Sequence, residues 1–240
     1  MSVDFVACQS ILELSARHPR VDRALIDAQS LHQLVMSGFY GWVPERTPGA
    51  RAQMHILHTQ RVDLRSERMT VVVQSRVTPD WSELPGAALC EKPEVTMVNH
   101  RLKEGQRYRF RAVVNPTRAS CRHLPKDFEG PRVRKRLADT SPHYAREWFI
   151  RRLQPAGTVR PPEDNAIPLI GADADHEQLE VRILPKLYNI KGHPGMRIGR
   201  AEVRGELTVT DPAAFARTLS TGLGRAKSYG CGLLLIKPAR

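Results

Sequence analysis

The sequence predicts an α+β fold built from two βαββαβ units in tandem, and three observations carry the prediction. The second half reads strand, helix, strand, strand, helix, strand; the first half can be read in the same order; and 240 residues are enough for two small units that each bury a core. That succession is the ferredoxin-like (RRM-like) arrangement. Residues 1–103 and 104–240 are therefore expected to form one unit each, joined near Lys103–Gly105, with no sequence repeat behind the structural one.

In the first half, apolar alternation or short apolar runs mark strands at Phe5–Leu14, Gln53–His58, Met69–Ser75 and Glu94–His100. A helix is expected from about Asp27 to Phe39. The weakest element is a short helix after Pro79, around Trp81–Leu89. In the second half a strand at Arg107–Asn115 precedes a helix at Ser141–Leu153. There Ser141 suits the N-cap and Pro142 the first helical position, and Tyr144, Trp148, Phe149 and Leu153 form the apolar stripe. Strands follow at Leu179–Leu184 and Ala201–Val209. Asp211 and Pro212 then open a helix with the stripe Phe215, Leu219, Leu223, which Gly222 and Gly224 stop before the last strand, Gly232–Lys237. The stretches Pro116–Thr140 and Pro155–Glu177 are too long for tight connections, and such loops are functional or mobile.

Composition narrows the function. The chain has 41% hydrophobic and 26% charged residues, which excludes a disordered or collagen-like chain. No apolar run approaches the roughly 20 residues of a membrane-spanning helix, and Asp4 and Glu13 stand where a signal peptide is basic, so the expected location is the cytoplasm. Four separated cysteines with no C-x-x-C pair give neither a disulfide framework nor a zinc site, and no metal or other cofactor is expected. Thirty-seven Lys and Arg against 25 Asp and Glu leave a net charge of +12. Between Arg101 and Arg160, sixteen basic residues face five acidic ones, which implies nucleic acid or an acidic membrane surface as partner. Aromatics are only 6%, so backbone and groove contacts are expected to outweigh base stacking.

Several constellations could carry that contact. Gly222–Gly232 packs four glycines with Arg225, Lys227 and Ser228; successive backbone N–H groups beside cations make an anion site, here around Gly224–Ser228. A helix cap and turn that need glycine for geometry alone read equally well. Arg107, Arg109 and Arg111 share one face of a strand, and Arg132, Arg134, Lys135 and Arg136 follow in the basic loop; together they could track the phosphates of A-form RNA. The connection Leu184–Arg200 reads as a long hairpin carrying Lys186, Lys191, His193 and Arg197, suited to a widened groove or simply exposed. His55 and His58, three apart on the expected strand, would face opposite ways and make a poor metal pair; Asp173, Asp175, His176 and Glu177 read as a solvated acidic turn.

The meaning of His32 depends on where its helix begins. If Leu25 is already helical, His32 joins Ala28, Val35 and Phe39 on the apolar face and is structural. If Asp27 is the N-cap, the stripe centres on Leu31, Leu34 and Val35 and leaves His32 at its edge, facing a cleft. Pattern alone favours the structural role slightly.

At the C-terminus the run Gly222-Leu-Gly-Arg-Ala-Lys-Ser-Tyr-Gly-Cys-Gly-Leu-Leu-Leu-Ile-Lys-Pro238 resembles, nearly residue for residue, the glycine-rich signature of the CasE family, the repeat-RNA endoribonucleases of the type I-E CRISPR Cascade complex. Ser30-Leu-His-Gln33, Tyr108-Arg-Phe-Arg-Ala112, Asn115-Pro-Thr117 and the basic Arg134–Leu137 stretch match the family in the same order, across essentially the whole chain. The resemblance implies tandem ferredoxin-like domains that bind the stem-loop of a CRISPR repeat transcript and cut at the 3′ base of the stem without a metal ion. The ribose 2′-OH would attack the adjacent phosphorus, leaving a 2′,3′-cyclic phosphate and a 5′-hydroxyl. The enzyme would then stay on its product beside other Cascade subunits, chiefly the neighbouring backbone subunit.

By the same resemblance His32 aligns with the catalytic histidine, which reverses the preference drawn from pattern. Its imidazole titrates near neutrality and suits removal of the 2′-OH proton or protonation of the leaving oxygen. Three residues earlier, where well-known members carry tyrosine, this chain has Gln29, which can position a group but cannot exchange a proton. Gln29 is therefore given a positioning role only; either His32 works without that phenol, or Lys227, Tyr40 or another group takes its place, and a modest cleavage rate is expected. Two alternatives stand beside this reading: a hairpin-binding subunit that has lost cleavage, and a ferredoxin-like enzyme holding a phosphorylated small molecule in its glycine loop.

Overall fold

A computed structural model describes residues 2–43, 47–120, 135–138, 141–158, 167–189 and 195–239, with backbone alone for 119–120, 135–138 and 189. The first half forms β1 (Ser2–Ser15), α1 (Pro19–Ile26), α2 (Ala28–Ser37), the short α3 (Ala50–Gln53), β2 (Leu57–Asp63), β3 (Arg68–Ser75) and β4 (Glu94–Lys103). Its antiparallel sheet has the order β2-β3-β1-β4. Leu12 and Leu14 of β1 and Met69, Val71 and Val73 of β3 point to one face, and Val21, Ala24, Leu31, Leu34 and Val35 of the helices close over it.

Three details depart from expectation. An unexpected helix, α1, precedes the helix expected from Asp27, which forms as α2. Asp27 ends α1, its N–H donating to the Arg23 carbonyl, and begins α2, its carboxylate accepting from the Ser30 N–H at 2.8 Å and the Ser30 hydroxyl at 2.7 Å. The expected strand at Gln53–His58 starts only at Leu57, because α3 takes Gln53 and His55 turns the chain at φ 51°. No α-helix forms at Trp81–Leu89. Pro85 and Gly86 interrupt it, leaving a single 3₁₀ turn at Gly86–Ala88, while Trp81 packs so closely over Gly38 that a Cβ there would lie 2.4 Å from the indole.

The second half forms β5 (Arg107–Val114), β6 (Thr117–Ser120), β7 (Lys135–Ala138), α4 (Pro142–Ile150), β8 (Ala172–Asp173), β9 (Glu180–Asn189), β10 (Met196–Val209), α5 (Pro212–Thr221) and β11 (Leu234–Pro238). Ser141 and Asp211 cap α4 and α5 as their sequences suggest. The sheet runs β11-β5-β10 with β9 beside β10, and β8 pairs with the far end of β10. Both principal sheets thus have the strand order 4-1-3-2 of a ferredoxin-like unit, counting its four main strands in sequence. Tyr108, Phe110, Trp148, Phe149, Phe215 and Leu219 fill the second core. Part of the expected long loop after Pro116 is instead the ribbon β6–β7.

The units interlock. Phe5 and Ala7 of β1 and Leu102 of β4 belong to the second core, and the Gln74 amide donates to the Leu219 carbonyl at 2.7 Å. Among the described residues no helix is long and apolar enough to cross a membrane.

Candidate functional site

A small apolar cluster holds four distant pieces of chain together. Ala28 of α2, Val113 of β5, Leu187 and Ile198 of the β9–β10 hairpin and Cys231 of the glycine-rich loop are buried against one another, with Ala226 and Tyr229 packed on them. Arg200, largely buried, braces the hairpin where its register shifts, donating through Nε and Nη2 to the Pro185 carbonyl at 3.1 and 2.9 Å. The Lys227–Tyr229 3₁₀ turn is thereby wedged between α2 and β2.

The glycines meet a geometric need. Gly232 has φ 92° and a Cβ there would sit 2.6 Å from the Leu223 carbonyl oxygen; Gly222 has φ 76° and would meet the Gly232 oxygen at 2.8 Å. The turn reading of this loop is correct, and the same geometry presents Arg225, Lys227 and Ser228 to a cleft.

Asp27 being the N-cap, the buried stripe of α2 is Leu31, Leu34 and Val35, and His32 lies half-buried at its edge. Its ring opens onto a cavity of about 410 Å³ shared with Gln29, Tyr40, Arg51 and Ser228. Nδ1 of His32 is buried with no hydrogen-bond partner. Burial, then the nearby Arg51 guanidinium, hold the imidazole below its ordinary pKa, so at neutral pH it is the unprotonated base. The Tyr229 ring stands edge-on to it, centroids 6.4 Å apart. His58 on β2 is wholly buried, neither ring nitrogen has a partner, and burial with the His32 and Arg51 charges pushes its pKa to about 3.

A second hollow of about 920 Å³ adjoins the first through Arg51 and Ser228, which line both. It gathers Lys186 and Arg197 of the hairpin with Gly224, Arg225 and Lys227 of the loop. Burial and the Arg51 charge lower the Lys227 pKa. Among the described residues neither cavity is lined by a carboxylate. Like charges held together in this way form a site for an anion, which would relieve their repulsion.

Arg107, Arg109 and Arg111 are not part of this hollow. They project from the opposite side of β5 to Tyr108 and Phe110, and β10 supplies carboxylates: Glu206 to Arg107 and Arg109, Glu202 to Arg111 at 2.6 Å. The expected bare cationic strand face is thus a paired one. Arg132, Arg134, Lys191 and His193 lie outside the described residues, and of Lys135 and Arg136 only the backbone, in β7, is described. The acidic residues near Asp175 form a capped turn, Asp175 accepting from the Glu177 N–H, and among the described residues no cluster could hold a metal ion. Arg51 was invisible to pattern, since its short helix has no stripe and only the fold brings it to His32.

A family model described as CRISPR associated protein matches residues 9–238. CRISPR-associated endoribonuclease Cse3 of Thermus thermophilus is 32% identical over 173 residues, 72% of this chain and 74% of that protein. Among solved structures, CRISPR endoribonuclease Cse3 bound to 19 nt RNA superposes with a TM-score of 0.70 at 23% identity, covering 98% of this chain and 100% of that one. A chain of a CRISPR RNA-guided surveillance complex does so with a TM-score of 0.54 at 21% identity, covering 96% and 100%. The structural likenesses establish the fold. With the family model spanning nearly the whole sequence and Cse3 at this identity, the chain belongs to the CRISPR-associated protein family that includes the endoribonuclease Cse3.

Proposed function

We propose that the protein binds the stem-loop of a CRISPR repeat transcript and cuts it at the 3′ base of the stem, by attack of the ribose 2′-OH on the adjacent phosphorus. The observation that carries this reading is the meeting of His32 with the glycine-rich loop across one cationic cleft, at Arg51 and Ser228. His32 enters as a free base and takes the 2′-OH proton; the 2′-oxygen bonds to phosphorus, the P–O5′ bond breaks, and the leaving oxygen takes a proton from water to end as a 5′-hydroxyl. Lys227 and Arg51 oppose the charge that builds on the phosphorane oxygens. Nothing in this sequence of steps requires a metal ion.

Gln29, one helical turn before His32 and lining the same cavity, orients the ribose or phosphate by hydrogen bonding. Tyr40 lines the same cavity and the Tyr229 ring stands against His32, so either phenol can serve in place of a tyrosine at position 29. This favours an active enzyme over a binding subunit that has lost cleavage.

The hairpin cations Lys186 and Arg197 grip the stem, joined by Arg132, Arg134, Lys135, Arg136 and Lys191. The product stays bound and the protein acts within Cascade, in the cytoplasm where transcripts are made. We infer that the chain divides at 103/104, between the end of β4 at Lys103 and the start of β5 at Arg107: the first part carries His32, the second the basic and glycine-rich loops. Incubating the protein with a labelled repeat hairpin and resolving a cyclic-phosphate product tests the proposal; intact hairpin after prolonged incubation would reject it.

A further inference from the structure

On the other side of the glycine-rich loop lies a third cavity, of about 580 Å³, which the cleavage chemistry leaves unused. It shares Thr117, Gly224, Arg225 and Lys227 with the 920 Å³ hollow, so the loop is a wall common to both. Gly224 makes that wall thin: a Cβ there would lie 2.8 Å from the Trp148 ring. Besides Arg225 and Lys227 the chamber is lined by Arg118, Arg151 and Arg152, and among its described residues there is no carboxylate.

Three of these arginines lie over aromatic rings. The Arg152 guanidinium lies 3.4 Å over the Trp148 ring and is anchored by donating to the Trp148 carbonyl; Arg118 and Arg151 lie 5.9 and 5.6 Å from the Tyr144 centroid. Trp148 is itself buried, so a ligand meets the guanidiniums and not the indole. A guanidinium already stacked on an aromatic ring offers its other face to a second flat group and its edge N–H donors to a phosphate. Desolvation and the Arg151 charge lower the Arg152 pKa to about 10, as befits a cation held ready for an anion.

Planar cations beside several charges, in a chamber that shares a wall with the cleft, match an unpaired nucleotide: its base lies flat and its phosphate is bound at the edges. A duplex would offer no free base face. We propose that this chamber captures the unpaired RNA that adjoins the stem, threading it past the glycine-rich loop and so fixing the strand on one side of the cut. The inference rests on the cleavage reading and extends it to a strand subsite formed by Arg118, Arg151 and Arg152.

The test uses the full chain and three repeat hairpins: one blunt, one with a short 5′ single-stranded tail, and one with a 3′ tail whose last stem nucleotide is 2′-deoxyribose so that the bond at the 3′ base of the stem cannot be cut. For the wild type, one tail is expected to tighten binding by about tenfold, the size of one stacked base. The Arg118→Ala, Arg151→Ala double variant should lose that gain and bind the blunt hairpin as the wild type does. Both side chains are exposed, so an unchanged melting temperature is expected, and Arg151→Lys provides a milder second variant that keeps the charge and loses the plane. An abasic tail that binds as tightly as one with bases would overturn base capture. No gain from either tail, or equal losses on blunt and tailed probes, would overturn the subsite and leave the cleavage reading standing. Failure of the wild type to bind even the blunt hairpin would remove both.

Discussion

The His32 imidazole and the Tyr229 phenol ring meet edge to face, centroids 6.4 Å apart at an interplanar angle of 74°, although they come from opposite ends of the chain. The contact exists because the Lys227–Tyr229 turn is pinned between α2 and β2. It places the His32 imidazole on one wall with Lys227 and Ser228 of the cationic cleft.

Removing the base should separate cutting from binding. His32→Ala is expected to lower the single-turnover cleavage rate by about 10²–10⁴ while leaving repeat-hairpin affinity near the wild type's, because the cations lie elsewhere in the cleft. Gel-resolved cleavage and equilibrium binding of the same RNA measure the two. Near-normal cutting would remove His32 from the mechanism.

The pH profile follows from the lowered pKa of His32. A depressed value means that the neutral ring predominates above a midpoint lying below the ordinary 6.5 or so of histidine. Single-turnover rates in the presence of EDTA should therefore rise with pH through that midpoint and level off before neutrality, unchanged by the chelator. A midpoint above 6.5, or a strict Mg²⁺ requirement, contradicts the assignment.

Pairing should decide which cations bind RNA. Arg109 faces Glu206 across the strands, whereas Arg225 is exposed in a cleft without carboxylates among its described residues. Arg225→Ala should reduce the slope of log affinity against log salt by about one, and Arg109→Ala should change it little. Hairpin binding across a salt series checks both.

His58 should make stability acid-sensitive. Its pKa of about 3 in the folded protein lies below the roughly 6.5 of the unfolded chain, so the unfolded state takes up the proton first. Stability is full above about 6.5 and falls as pH drops toward 3, at most by about 1.4 kcal/mol per pH unit for this one group. His58→Leu should flatten that part of the curve in thermal melts; an unaltered slope would mean that other groups set it.

Gly232→Ala tests the loop. A side chain at φ 92° facing a backbone oxygen at 2.6 Å forces the loop to move, at a cost of about 1–3 kcal/mol. A lower melting temperature together with slower cleavage is expected, since the Lys227–Tyr229 turn would shift with it.

The α+β class, most strands, the caps Ser141 and Asp211 and the glycine-rich loop were legible in the sequence because each depends on neighbours a few residues away. Where the structure differs, a distant contact overrides local pattern, as where Trp81 packs over Gly38 without a helix; α1, which local pattern does not mark, ends at Asp27, where the expected helix begins. The pairing of Arg107, Arg109 and Arg111 could not be read either, because Glu202 and Glu206 oppose them only through the register of β5 and β10.

Taken by itself, then, the sequence determined the periodicities, the turns, the excess of positive charge and the signatures that resemble a known family, all properties of short stretches of chain. Which cations are neutralised, that Arg51 and Tyr229 stand beside His32, and that Arg118, Arg151 and Arg152 enclose a chamber were decided only when strand register and the Ala28–Val113–Leu187–Ile198–Cys231 cluster closed the structure. Electrostatic and stacking energies depend on distance through space, and a linear sequence does not carry that distance.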